Sequence, residues 1–245
     1  MSASPLLPDA VAFVAGAMNS VAGGGSFLSF PALIAAGVSP IPANATNSAG
    51  LWVGSIGGAR GYAPELRATR ALLVPILAVS IAGSLLGAVL LIRTPALLFT
   101  RMIPWLLLFA TVTFAASPLV KRHASGTPRN APWQLVAQFA VSVYGGYFGA
   151  GMGILMLAIL SFTGFPGINA ANALKNVLSV AINGVALVPF IIVGIIDWRF
   201  AIPMAAMALV GGYAGAHLFR RLPPIYGRVV VIVIGAVMTT VFFRR

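Results

Sequence analysis

Cysteine is absent from this sequence and carboxylates nearly so: Asp9, Glu65 and Asp197 are the three acids, and His123 and His217 the two histidines. Without cysteine there is no disulfide framework, no thiolate chemistry and no cysteine-based metal site. Two histidines and three scattered acids form no Ser–His–Asp set and no metal cluster, so the expectation is no enzyme, no metal and no cofactor. A site that binds sodium or relays protons usually relies on a buried carboxylate. Each acid here stands in a gap or at the end of an apolar run, which argues against a cation as the substrate. His217, one turn from Arg220, reads as an interfacial residue rather than a proton relay, and His123 as a solvated member of a basic linker. The run 149–153 (GAGMG) lacks the flanking strand and the Lys-Ser/Thr of a phosphate-binding loop.

Charge is also scarce. Only 7% of the 245 residues are charged and 60% are hydrophobic, with a mean hydropathy of +1.01, against about 25% charged in an ordinary soluble domain. So little polar surface cannot cover a water-soluble globule, and the length of the apolar runs indicates helices rather than a barrel. The net charge of +12 is no nucleic-acid signal. Its basic residues fall in the short gaps between apolar runs, as at Arg60, Arg67 and Arg70, at Lys121, Arg122 and Arg129, and at Arg220, Arg221 and Arg228. That is where anionic headgroups draw them, which makes the bilayer the expected partner. The first residues lack the basic segment of a signal peptide, so the first apolar run is expected to be retained.

The apolar runs, about eight in number, fall at 10–36, 43–59, 71–92, 101–118, 133–163, 168–196, 200–219 and 227–243. A single crossing needs about 20 residues. The runs 10–36 and 133–163 exceed this and are interrupted by glycines, at Gly23, Gly24 and Gly25 and from Gly145 to Gly153. Each is expected to be a helix, an unwound glycine turn and a second half-helix, with the freed backbone buried in protein or lining water. A shift of 128 residues superposes Ala22 on Ala150, Gly23 on Gly151, Gly25 on Gly153, Asn44 on Asn172, Pro75 on Pro203, Gly83 on Gly211 and Gly87 on Gly215. One offset held without a gap identifies a duplication: a first transmembrane repeat over 1–125 and a second over 126–245, together one transport domain. The fold expected is therefore an all-α integral membrane protein of two homologous halves, each opened by a glycine-broken helix pair. The positive-inside rule does not decide between parallel and inverted halves; the broken helices favour inverted. Gly83 with Gly87 and Gly211 with Gly215 are close-packing patterns, and Trp52, Trp105, Trp133 and Trp198 read as interfacial anchors.

Asn172, Asn176, Ser179 and Asn183 recur at helical spacing and form one polar stripe, with Lys175 one residue to the side. The first half carries a fainter copy in Asn44, Asn47, Ser48 and Ser55. In lipid such side chains must face protein or a wet cavity, as interhelical glue or as a polar pathway. Matching glycine-broken helices in two halves point to a transporter site near midplane. Amides, hydroxyls, half-helix N-termini and an ammonium all offer positive charge, which suits a small anion. The residues expected around it are Asn44, Asn47, Ser48, Asn172, Lys175 and Asn176, with Gly24, Gly25, Gly151 and Gly153 supplying backbone donors. Ser26, Ser55, Ser179 and Asn183 are expected to line the pathway. Lys175 has a second reading, in which it snorkels to the interface or pairs with a helix-terminal carbonyl.

Residues 16–47 (GAMNSVAGGGSFLSFPALIAAGVSPIPANATN) and 144–183 (YGGYFGAGMGILMLAILSFTGFPGINAANALKNVLSVAIN) carry a further signal. The glycine break followed by Ala-Asn-Ala-Thr-Asn, repeated as Ala-Asn-Ala-Leu-Lys-Asn, resembles the TauE/SafE family of membrane exporters. The resemblance implies transport, usually outward, of sulfur-containing anions such as sulfite or organosulfonates. It also implies a multi-pass protein of a bacterial or archaeal inner membrane. The function expected is a secondary transporter working by alternating access, with a homodimer as a candidate assembly. The alternatives are a passive anion channel with the same lining, and a membrane scaffold subunit whose asparagines only hold helices together.

Overall fold

The computed structural model describes residues 7–21, 23–61, 70–120, 132–161, 168–218 and 224–244. Ala22, Glu65, Arg67, Lys121, Arg122, His123, Arg129, Arg220 and Arg221 lie outside these residues. The described residues form ten α-helices and no strand. They are α1 (Leu7–Val21), α2 (Ser26–Ala35), α3 (Pro40–Gly61), α4 (Arg70–Arg93), α5 (Ala96–Val120), α6 (Pro132–Tyr147), α7 (Met152–Ser161), α8 (Ile168–Val193), α9 (Trp198–Leu218) and α10 (Pro224–Phe243). Several begin a few residues before their apolar run does. Pro40, Pro132 and Pro224 are the first residues of α3, α6 and α10, where a missing N–H costs nothing and the fixed φ suits the helix.

Among the described residues four helices are, by length and composition, long and apolar enough to cross a membrane: Leu73–Arg93, Ala96–Thr113, Asn169–Val193 and Trp198–His217. The outer surface is apolar, and the polar side chains are drawn inside beside an apolar core that includes Phe27, Phe30, Phe99 and Phe148. Val74, Leu98, Trp105, Ile192, Ile202 and Val210 are exposed on the outside. Every residue of 43–51 and of 170–176 is buried, including Asn44, Thr46, Asn47, Ser48, Asn172, Lys175 and Asn176. Apolar outside and polar inside is the arrangement that hydrocarbon requires.

Both long runs break as their glycines predict. α1 gives way to α2 through Gly23, Gly24 and Gly25, and α6 to α7 through residues 148–151. Gly23 and Gly151 have φ of 78° and 79°, a conformation that side chains other than hydrogen resist. The first turn folds the chain back, because Gly25 rests against the carbonyl of Ala15; in a continuous helix those residues would be about 15 Å apart.

Helices of the first half pack on helices of the second: α1 on α9 and α6 on α4, α3 on α9 and α8 on α4, with α3 against α8 at the centre. Glycine permits the closest of these crossings. A methyl group at Gly83 would come 2.7 Å from the carbonyl oxygen of Phe139, and one at Gly215 2.6 Å from the Cα of Ala17. Trp133 and Trp198 are exposed at helix starts, as anchors should be, whereas Trp105 is exposed in the middle of the apolar span of α5 and does not mark an end. Trp52 is not an anchor. It lies within α3, and its indole N–H donates to the carbonyl of Val180 in α8 at 2.9 Å, because an indole buried in a helical bundle needs an acceptor and α8 offers one.

Candidate functional site

The two glycine breaks meet. A methyl group on Gly23 would sit 2.8 Å from the backbone nitrogen of Ile154 and 2.9 Å from the carbonyl carbon of Gly153. Glycine therefore serves two needs here, the turn and the contact between the two turns. Around this crossing lies a cavity of about 30 Å³, room for about two water molecules. The starts of both half-helices line it through Gly24 and Ser26 and through Gly151, Met152 and Gly153, so the positive ends of α2 and α7 open on it. α3 adds Asn47, Ser48, Leu51 and Ser55, α8 adds Ser179 and Asn183, and α1 adds Asn19. Among the described residues no carboxylate lines it. The hydroxyl of Ser29 donates to Oδ1 of Asn47 at 2.5 Å, which turns the Asn47 amide nitrogen away from Ser29.

The structure thus gathers at one cavity nine of the residues that the sequence nominates: Gly24, Ser26, Asn47, Ser48, Ser55, Gly151, Gly153, Ser179 and Asn183. The other five stand behind the wall. Gly25 donates its N–H to Oδ1 of Asn19 at 2.7 Å. Asn44 donates to the carbonyl of Tyr147, the last residue of α6, at 3.0 Å. Asn176 donates to the carbonyl of Ser20 at 3.2 Å, and the Lys175 ammonium to the carbonyl of Asn19. A helix that ends inside the protein leaves carbonyls unpaired and a partial negative charge beside them. These donors satisfy the carbonyls, and at α1 a full positive charge offsets the negative end. Asn172 is buried, and its carbonyl oxygen, like that of Asn44, has no hydrogen-bond partner.

Lys175 is the one buried charged side chain among the described residues. It does not line the cavity, but its stem comes within 3.4 Å of the point where Gly153, which does, would carry a methyl group. His217 is exposed, stacked on Tyr213 and away from the cavity. Asp9 and Asp197 line a separate cavity with Arg199. The Asp197 carboxylate is held below its ordinary pKa by hydrogen bonds from Arg199, against the opposing effect of burial. Its backbone N–H donates to the hydroxyl of Thr46, tying the loop before α9 to α3 at 2.9 Å. Among the described residues no group of three or more His, Asp or Glu side chains could hold a metal ion.

Sequence reasoning missed Asn19, Gly23, Gly149, Leu51 and Met152 as lining residues. Asn19 carried a signal, as a lone amide in the last turn before a glycine break. Leu51 and Met152 carried none.

A family model described as sulfite exporter TauE/SafE matches residues 10–242. Over 245 aligned residues the chain is 31% identical to the probable membrane transporter protein YfcA of Escherichia coli strain K12, covering 96% of this chain and 89% of that protein. It is 30% identical to the probable membrane transporter protein ORF9 of a Sinorhizobium species, over 84% of this chain and 79% of the relative. A probable membrane transporter protein of Haemophilus influenzae is 27% identical over 94% of this chain and 90% of its own. No solved structure matches. A glycine-broken helix in each half, a polar interior within an apolar exterior and a match over nearly the whole length place this chain in the sulfite exporter TauE/SafE family of membrane transporters.

Proposed function

We propose that the protein is a multi-pass secondary transporter of the bacterial inner membrane that exports a small sulfur-containing anion such as sulfite or an organosulfonate. The observation that carries this reading is the cavity where the glycine breaks meet. Two helix N-termini, two amides of the first half and four hydroxyls converge on it, and among the described residues no carboxylate does. Fixed donors and dipoles aimed at one point in a low-dielectric interior favour negative charge. The ammonium of Lys175, one residue-layer behind, adds positive potential without filling the space.

Alternating access is the mechanism we favour. At about 30 Å³ the cavity is too small for a hydrated oxyanion to pass, which suits a carrier between openings better than an open pore. The strongest packing gathers α1 and α3 with α9, and α4 with α6 and α8, each group drawn from both halves, and we take these two groups as the bodies that rock about the breaks. The test is counterflow in proteoliposomes. Loading the lumen with unlabelled anion should accelerate uptake of labelled anion and the rate should saturate. Flux that rises linearly with concentration and ignores the far side would favour the channel.

A further inference from the structure

The anion reading counts Asn19 among the cavity's amides but does not say what its side chain does there. Asn19, in the last turn of α1, lines the cavity beside Gly23 and Ser26, and both its acceptors are engaged elsewhere. Its side-chain oxygen accepts the N–H of Gly25 at 2.7 Å, and its backbone carbonyl accepts the Lys175 ammonium. A backbone N–H can bond only to the oxygen of an amide side chain, so Gly25 determines which end of Asn19 faces the turn. The end left over is Nδ2, which carries two donors and offers nothing to a cation. Among the described residues it donates to no protein acceptor, although Ser26 and Ser48 line the same cavity. Asn19 has no counterpart amide in the second half, where the position 128 residues on is Tyr147.

We infer that Asn19 is a specificity-determining ligand of the transported anion, presenting its amide nitrogen to the substrate oxygens, and that Lys175 positions it. This rests on the anion reading above. The clamp is built from both sides. Gly25 holds the side chain by its oxygen, and Lys175 holds the backbone while offsetting the negative end of α1 beside the cavity. A cation gains nothing from such a donor and a neutral acceptor gains an ordinary hydrogen bond, whereas an oxyanion accepts a charge-assisted one of about twice the strength.

The deciding substitution is Asn19→Asp. It keeps an oxygen for Gly25 and nearly the same volume, and it turns the cavity-facing donors into lone pairs with negative charge. The expected result is folded protein, with KM for the anion raised more than about tenfold by like-charge repulsion. Asn19→Ser, which keeps a shorter hydroxyl donor, is the second variant and is expected to raise KM severalfold. A wild-type KM in either folded variant overturns the assignment of Asn19 while leaving the transporter intact. Absence of saturable anion flux from folded wild-type protein overturns the anion reading, and this inference with it.

Discussion

The ammonium of Lys175 is bonded to the backbone carbonyl of Asn19, 156 residues earlier. One contact thereby joins the second half's polar stripe to the point where the first half's broken helix ends. The lysine has no carboxylate partner among the described residues, whose one ion pair is Arg199 with Asp197. A cation inside a membrane bundle is costly; the end of α1 compensates part of that cost through the Asn19 carbonyl, and an anion in the cavity would compensate more.

Lys175→Met removes the charge and keeps most of the volume. The Asn19 carbonyl loses its donor, which costs about 1–3 kcal/mol, so the melting temperature is expected to fall by several degrees while the protein stays folded. Anion flux should fall at least about tenfold. Wild-type flux in a folded Lys175→Met protein would confine the lysine to the carbonyl it now holds.

The glycine breaks should not tolerate side chains equally. Gly23→Ala combines a φ of 78° with a contact of 2.8 Å to the backbone of Ile154, and is expected to cost about 3 kcal/mol or more. Gly194→Ala carries a similar φ of 73° but meets nothing within 4 Å. Its cost should be about 1 kcal/mol. Thermal unfolding in detergent ranks the two, and equal losses would mean that the meeting of the breaks contributes little.

Trp52→Phe keeps the ring and deletes the N–H that reaches the Val180 carbonyl. The carbonyl keeps its partner within α8, so the loss is that of one additional hydrogen bond, about 0.5–1.5 kcal/mol. For a chain of this size that lowers the melting temperature by a few degrees. An unchanged melting temperature would show that α3 and α8 are held by packing alone.

Asp197 supplies a pH dependence with a definite sign. Arg199 lowers its folded-state pKa below the unfolded value, so the native state releases that proton more readily. The stability it confers is present above the unfolded-state pKa, near 3.8, and is lost as pH falls through the lower folded value. Wild-type protein should lose melting temperature across that acid window, and Asp197→Asn should lose less. Parallel acid limbs would mean that the exposed Arg199 contributes no net stabilisation.

Much of the fold is legible in the sequence because lipid imposes simple rules. Apolar runs become helices, and the glycines at 23–25 and at 149 and 151 become breaks, since backbone that leaves a helix in a membrane must be buried or wet. Gly145, Gly146 and Gly153 stay helical. Periodicity also shows that Asn172, Asn176, Ser179 and Asn183 share a face. It does not show what lies across from that face. Ser179 and Asn183 meet the cavity, whereas Asn176 and Lys175 meet the end of α1, and that division depends on partners more than a hundred residues away. Trp52 illustrates the same limit. Its place in the chain fits an anchor, and only the approach of α8 reveals an acceptor for its N–H.

The most direct test of the central claim is uptake of radiolabelled sulfite, sulfate and a short organosulfonate into proteoliposomes, with wild type beside Asn47→Asp. Asn47 lines the cavity, and its aspartate keeps an oxygen for Ser29 while setting a negative charge where the anion should sit. The account predicts saturable uptake of one sulfur anion by the wild type and its loss in the variant. Uptake no greater than in empty liposomes, from protein shown to be folded, would contradict it.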